Sequence, residues 1–243
     1  MGLGGISVSS EYPEVSKDEL EVILDGLKSR FRNGDYPSFK ERIDRINRLK
    51  LLVEENSDAF HKTLQNDFGT RHEQLSLLSD TLPIIASAKH VTKNLSKWMR
   101  PEKRKPNFPL GLLGAKAFIH NQPYGVVGII SPWNFPLNLS LGPLVEVFAA
   151  GNNAMMKLSE FVPETSDLTE KLVRQYFNDD EVAVINGGPK TSQSFAGLAF
   201  DHLLFTGSTH VAKKIAYEAS ENLVPLTLEL GGKSPVIVGP KAK

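Results

Sequence analysis

Five short apolar runs, at 126–130, 153–158, 182–185, 202–205 and 226–230, alternate with stretches of helical spacing. Runs of this length bounded by glycine or proline read as buried strands. Strands that alternate with helices are joined by right-handed crossovers and lie side by side in a parallel sheet. The rhythm makes the chain after Gly125 an α/β unit. Helices are expected at 139–150, closed by Gly151, and after Pro163, with Leu168, Leu172, Val173 and Phe177 apolar. A short one follows Pro189, and another follows Ser208 with Val211, Ile215 and Ala219 apolar. Pro235–Val238 reads as a last short strand.

The chain ahead of Gly125 has a different period. Met1–Ser10 is rich in Gly and Ser, and residues 1–15 read as a flexible start. Ser16 and Glu19 have capping-box spacing. Leu20, Ile23, Leu24, Leu27 and Phe31 mark one helix face, and Gly34 is placed to end it. A second helix follows Pro37, with Phe39, Ile43, Ile46 and Leu49 on its apolar face. A third starts near Ser57, carries Phe60, Leu64 and Phe68, and stops at Gly69. A fourth is expected over 72–99, kinked at Pro83. His61, His72 and His90 lack metal-ligand spacing and read as surface or packing residues. Arg100–Pro106 reads as a solvated basic linker. The resulting division is a helical region over 16–110, an extended arm over 111–122 and the α/β region over 123–243.

The sequence has 243 residues, of which 40% are hydrophobic and 23% charged, as expected for a globular chain with its own core. Its 28 basic and 28 acidic side chains balance, so nothing global favours nucleic acid or an anionic membrane. No apolar leader or membrane-length stretch is evident, and the cytoplasm is the expected compartment. There is no cysteine. Disulfides, cysteine metal sites and a cysteine nucleophile are therefore excluded within these residues.

Four stretches carry candidate chemistry, each just past a strand. Pro132 and Pro136 lack amide donors and hold Trp133, Asn134 and Phe135 extended beyond strand 126–130. The Asn134 amide is thereby displayed where open α/β sheets bind ligands. The bland alternative is a proline turn plugged by Trp133 and Phe135. Lys157-Leu158-Ser159-Glu160 offers a cation and a carboxylate that could hold ribose hydroxyls, or two stray loop charges. Phe205-Thr206-Gly207-Ser208-Thr209 leads into a helix N-terminus suited to a pyrophosphate, or Ser208 is simply an N-cap. Glu229 sits in an apolar run before Gly231-Gly232. Partial burial would raise its pKa towards that of a general base; the alternative is a salt-bridged turn residue.

In their order, Pro-Trp-Asn-Phe-Pro, Lys-Leu-Ser-Glu, Phe-Thr-Gly-Ser-Thr and Glu-Leu-Gly-Gly-Lys-Ser-Pro, these blocks resemble the aldehyde dehydrogenase superfamily from about Pro37 to Lys243. Arg42-Ile43-Asp44-Arg45, Lys97-Trp98-Met99-Arg100-Pro101 and Asp201-His202-Leu203-Leu204-Phe205 are most similar to its coniferyl aldehyde dehydrogenase branch. The resemblance implies an α/β fold with a Rossmann-like parallel sheet, flanking helices and a helical N-terminal region. It implies NAD rather than NADP as cofactor, a small-molecule aldehyde as substrate and a homodimer formed by the complete enzyme. Asn134 would donate to an oxyanion and Glu229 would be the general base. Lys157 and Glu160, with Ser159 between them, would bind the adenosine ribose. Gly207 and Ser208 would approach the pyrophosphate. Leu230 and Gly231 would line the nicotinamide side, and Ser131, Pro132 and Trp133 would wall the cofactor cleft. Glu229 would also mark a hydrolytic enzyme, not a CoA-acylating one.

Two features depart from the family pattern. Ala212 stands where this branch often has Gly. The family's cysteine nucleophile, which follows Glu-Leu-Gly-Gly, is missing, so the chain is expected to be an N-terminal half that is inactive alone. A free-standing nucleotide-binding module and an unstable remnant remain as alternative readings; broad protection from hydrogen exchange would separate the first from the second.

Overall fold

The computed structural model describes residues 12–34 and 36–240, so Met1–Ser10 lies outside the described residues. Tyr12–Val15 belongs to the ordered structure. The Tyr12 hydroxyl donates to the Pro163 carbonyl at 2.9 Å, and the Glu14 carboxylate accepts from the Thr191 amide at 2.7 Å.

Capping sets the first helices. α1, Lys17–Asn33, begins with the expected Ser16–Glu19 box. α2, Phe39–Glu55, has a second such box from Ser38 and Glu41, which the helical spacing alone does not announce. Loss of this cap by Ser38→Ala is expected to cost about 1 kcal/mol, read as a lower urea midpoint. α3, Ser57–Phe68, stops at Gly69, whose φ of +71° suits glycine. Of the face expected for α2, Ile46 and Leu49 are buried, whereas Phe39 is exposed at the helix's first turn.

The expected fourth helix is not one kinked rod. α4, Glu73–Ser76, runs into a π-helical turn, Leu77–Thr81, and then α5, Leu82–Trp98. Pro83 falls in the first turn of α5, where its missing N–H costs little. The helical distortion precedes it. Arg100–Pro106 is not a simple linker either. Its Glu102–Arg104 forms β1, antiparallel to β2, Ala117–Ile119.

The remaining elements follow the expected rhythm: β3 Val126–Ile130, α6 Asn138–Ala149, β4 Asn153–Lys157, α7 Pro163–Tyr176 and β5 Val182–Ile185. They continue with α8 Pro189–Ala196, β6 His202–Gly207, α9 Thr209–Ser220 and β7 Leu226–Leu230. The five strands β3–β7 form one parallel sheet of order β5-β4-β3-β6-β7. The expected Rossmann-like parallel sheet is present. Pro235–Val238 is not a strand: Val236, Ile237 and Val238 are exposed beyond the edge strand β7, with no described neighbour to pair with.

Alternate strand residues feed two cores. Val127, Ile129, Ala154, Met156 and Val184 pack under α2, α3, α5, α6 and α7. Val126, Ile130, Met155, Leu203 and Phe205 pack under α1, α8 and α9. Ala212, the departure from the branch pattern, is buried in this second core. Gly151 shows how closely the layers fit: its φ is +84°, and an added Cβ would lie 2.5 Å from the Arg42 guanidinium carbon. Buried between α2 and the start of β5, Glu181 accepts from Arg45 at 3.0 Å and from Arg48 at 2.7 and 2.8 Å.

Candidate functional site

In chain order the sheet reads 3-2-1-4-5, so the connections reverse direction between β3 and β6. Beyond the carboxyl ends of strands at such a reversal lies the ligand crevice of open α/β sheets. The expected site residues of β3, β4, β6 and β7 all fall at this edge.

At the end of β3, the Ser131 amide donates to the Lys157 carbonyl at 3.1 Å, and its buried hydroxyl has no partner among the described residues. Pro132 is half-buried, while Trp133 and Asn134 are exposed. The Trp133 ring lies 6.1 Å from that of Phe68, so it leans on α3. At the end of β4, Lys157 is only 1% exposed. Its Nζ donates to the Leu158 carbonyl at 2.6 Å and to Glu160 Oε2 at 3.4 Å. Burial lowers the ammonium's pKa, and the charges of Glu160 and Glu14 oppose the fall. Ser159 has local duties: its Oγ accepts from the Phe161 amide at 3.3 Å, and its carbonyl accepts from the Ser166 hydroxyl at 3.0 Å.

At the end of β6, Ser208 is the N-cap of α9, its Oγ accepting from the Val211 amide at 3.3 Å. Gly207 has a packing reason to be glycine. An added Cβ would meet the Phe205 ring at 2.5 Å. Gly231 shows no such constraint among the described residues, and Leu230 is exposed beside it.

Glu229 differs from expectation. It is exposed on the edge strand, opposite Thr206, so the burial expected to tune it is not supplied by the described residues. With Thr227, Asn138 and Glu146 it borders an open cleft of about 540 Å³ on the α6 side. Lys157 alternates to the other side, beside Ile130, towards α1, α8 and α9. The sheet thus separates the buried Lys157 ammonium on one side from the Glu229-bearing cleft on the other. The Asn134 loop leads into α6 above the latter.

Sequence reasoning missed three contributors. Glu14 falls in the stretch expected to be flexible, yet its carboxylate accepts from Thr191 Oγ1 at 2.6 Å at the head of α8. Arg71 and Asp80, both buried, hold the Asn134 loop through Nη1 to the Asn134 carbonyl and Oδ1 to the head of α6. Their partners lie tens of residues away, so local spacing carries no signal for them. No group of three or more metal-ligating side chains occurs among the described residues.

An open parallel sheet of this order, with polar residues gathered past its carboxyl ends, is the Rossmann-like architecture. The aldehyde dehydrogenase family model matches residues 7–243. A probable coniferyl aldehyde dehydrogenase of Caulobacter vibrioides is 49% identical over 226 residues, covering 93% of this chain and 47% of the relative. A coniferyl aldehyde dehydrogenase of a Pseudomonas species is 43% identical, covering all of this chain and 48% of the relative. The substrate-bound structure of Staphylococcus aureus AldH superposes with a TM-score of 0.84 at 32% identity, covering 91% of this chain and 48% of that one. The NAD+ complex of an aldehyde dehydrogenase from Bacillus cereus gives 0.80 at 25% identity, covering 93% and 46%. The chain belongs to the aldehyde dehydrogenase family, and it spans about half the length of the curated relatives it matches.

Proposed function

We propose that these residues form the cofactor-binding half of an NAD-dependent enzyme that oxidises an aromatic, coniferyl-type aldehyde to its carboxylic acid. The observation that carries the reading is the gathering of the four motifs at one sheet edge, on both sides of the chain reversal. Resemblance to coniferyl aldehyde dehydrogenases supports the substrate class. The buried, unpartnered Ser131 hydroxyl and the Lys157–Glu160 pair fit a polyhydroxylated ligand such as a nucleotide ribose.

NAD, when bound, would supply the hydride acceptor. Lys157 and Glu160 hold ribose hydroxyls, with Ser159 fixing their turn. Gly207 and Ser208 bring the head of α9 to the pyrophosphate. Ser131, Pro132 and Trp133 wall the cleft, and Leu230 and Gly231 line its nicotinamide end. The Asn134 side-chain amide donates to the oxyanion that forms when a thiolate adds to the aldehyde carbonyl. Glu229 takes the proton from that thiol, gives it up to solvent, and then takes one from the hydrolytic water. The sequence has no cysteine, so the thiol comes from polypeptide outside these 243 residues. The same polypeptide would cover the cleft and desolvate Glu229. The hairpin of β1 and β2, with exposed Phe108, Leu112 and Leu113 at its turn, supports pairing of two enzyme copies. Among the described residues no helix is long and apolar enough to cross a membrane, and a cytoplasmic location belongs to the same reading.

Two substitutions test the roles in the active enzyme that contains these residues. Glu229→Gln is expected to reduce turnover with NAD affinity retained; unchanged turnover refutes the base assignment. Carboxylates near Lys157 repel a 2′-phosphate, so Glu160→Gln should narrow the preference for NAD over NADP, measured as a ratio of kcat/KM values. An unchanged ratio removes Glu160 from ribose recognition. A second reading is a nucleotide-binding module without dehydrogenase chemistry. Tight NAD binding with no turnover would favour it.

A further inference from the structure

We propose that Arg71 and Asp80 are positioning residues that aim the Asn134 side chain; this rests on the oxyanion role proposed for Asn134. The two residues hold the loop between β3 and α6 at two points. Arg71 Nη1 donates to the Asn134 carbonyl at 2.6 Å. Arg71 Nη2 donates to Ser79 Oγ at 3.1 Å and to Asp80 Oδ2. The other oxygen, Asp80 Oδ1, accepts from the amides of Leu137 and Asn138 at 3.2 and 3.3 Å. One ion pair thus fixes the peptide carbonyl of Asn134 and the head of α6, three and four residues later. Pro136 already restricts the backbone between these points, and Pro132 restricts it two residues before them. The peptide plane at Asn134, and with it the direction of its Cα–Cβ bond, is set by the clamp.

The clamp is built at a cost that packing alone does not demand. Asp80 is fully buried and Arg71 nearly so. A buried ion pair is weak evidence for stability, because desolvation offsets much of the attraction. The guanidinium lies 4.7 Å from the Phe68 ring centroid and 5.2 Å from that of Phe135. Its Nε is buried with no partner among the described residues. An orphaned donor is retained while Nη1 stays on the Asn134 carbonyl. Asp80 itself sits in the π-helical turn Leu77–Thr81, a departure from regular helix that recurs at functional sites. The inverted polarity around that turn points the same way. Ser76, Asp80 and Thr81 are fully buried, whereas Leu75, Leu78 and Leu82 are 51%, 67% and 41% exposed. The segment turns its polar face inward, and Asp80 on that face reaches the Asn134 loop.

A double-mutant cycle in the active enzyme tests the proposal. Small misplacements of a reacting group can cost ~100-fold in rate, so Arg71→Met should lower kcat by about 10- to 100-fold with the NAD dissociation constant within about twofold. Added to Asn134→Ala, Arg71→Met should lower kcat no further, because its effect passes through the missing amide. Arg71→Lys, which keeps the charge opposite Asp80, should recover part of the loss while Asn134 is present and none in the Asn134→Ala background. It also replaces Arg71→Met in the cycle should the latter not fold. Multiplicative losses in the double variant overturn the clamp while leaving Asn134 as the oxyanion donor. Unchanged turnover in Asn134→Ala alone overturns the oxyanion assignment, and the clamp with it.

Discussion

Asn134→Ala in the active enzyme is expected to lower kcat about 10²- to 10³-fold, the usual effect of removing one oxyanion-hole donor. The amide group is exposed at the mouth of the crevice, and its backbone is held by Arg71. Truncation at Cβ therefore removes a donor without removing a structural contact. The loss belongs to the transition state, where negative charge collects on the former carbonyl oxygen. NAD affinity should change little, since Lys157, Glu160 and the head of α9 are untouched. Steady-state kinetics with calorimetric NAD titration separates the two. An equal loss of NAD affinity and turnover would give Asn134 a structural role instead.

Glu181→Ala should cost about 3 kcal/mol of stability, because it leaves the Arg45 and Arg48 guanidiniums in a partly buried site without their counter-charge. Burial works to raise the Glu181 pKa. Hydrogen bonds from Arg48 and the Asn178 amide, and the charges of both arginines, outweigh it and hold the group below its ordinary value of 4.5. A carboxyl whose folded value is depressed stabilises the fold above its unfolded pKa and loses that contribution as pH falls through the folded value. The gap in urea midpoint between wild type and Glu181→Ala should therefore be full near neutrality and shrink on acidification below about pH 4.5. A gap independent of pH would show that Glu181 acts by packing, not by charge.

Regular patterns made the fold legible. The apolar runs of β3 to β7 needed only length and punctuation to be read, and the Ser16–Glu19 box gave the start of α1. The candidate site was legible for a related reason. Its motifs are contiguous stretches, each at the carboxyl end of a strand, and a parallel sheet carries every such stretch to the same edge. What escaped depends on partners distant in sequence. Glu14 finds the head of α8 some 176 residues on. Arg71 and Asp80 meet across a π turn that turns polar residues inward and leucines outward, against the amphipathic rule. Glu102–Arg104 is a strand only because Ala117–Ile119 folds back on it; three charged residues in a row carry no strand pattern. Glu229 failed the other way. Its apolar neighbours signalled burial, but β7 is the sheet's edge, and both Leu228 and Leu230 are partly exposed there. Pro235–Val238 has strand composition without a neighbouring strand among the described residues, and composition alone cannot supply one.

The central claim is that this sheet edge serves hydrolytic oxidation of an aldehyde. The most direct measurement is product analysis by mass spectrometry after the active enzyme containing these residues is incubated with NAD and coniferyl aldehyde. The account predicts the free carboxylic acid and NADH in equal amounts, with the yield collapsing in the Asn134→Ala enzyme. Bound NAD with no acid formed, or acid formation indifferent to Asn134, would contradict it.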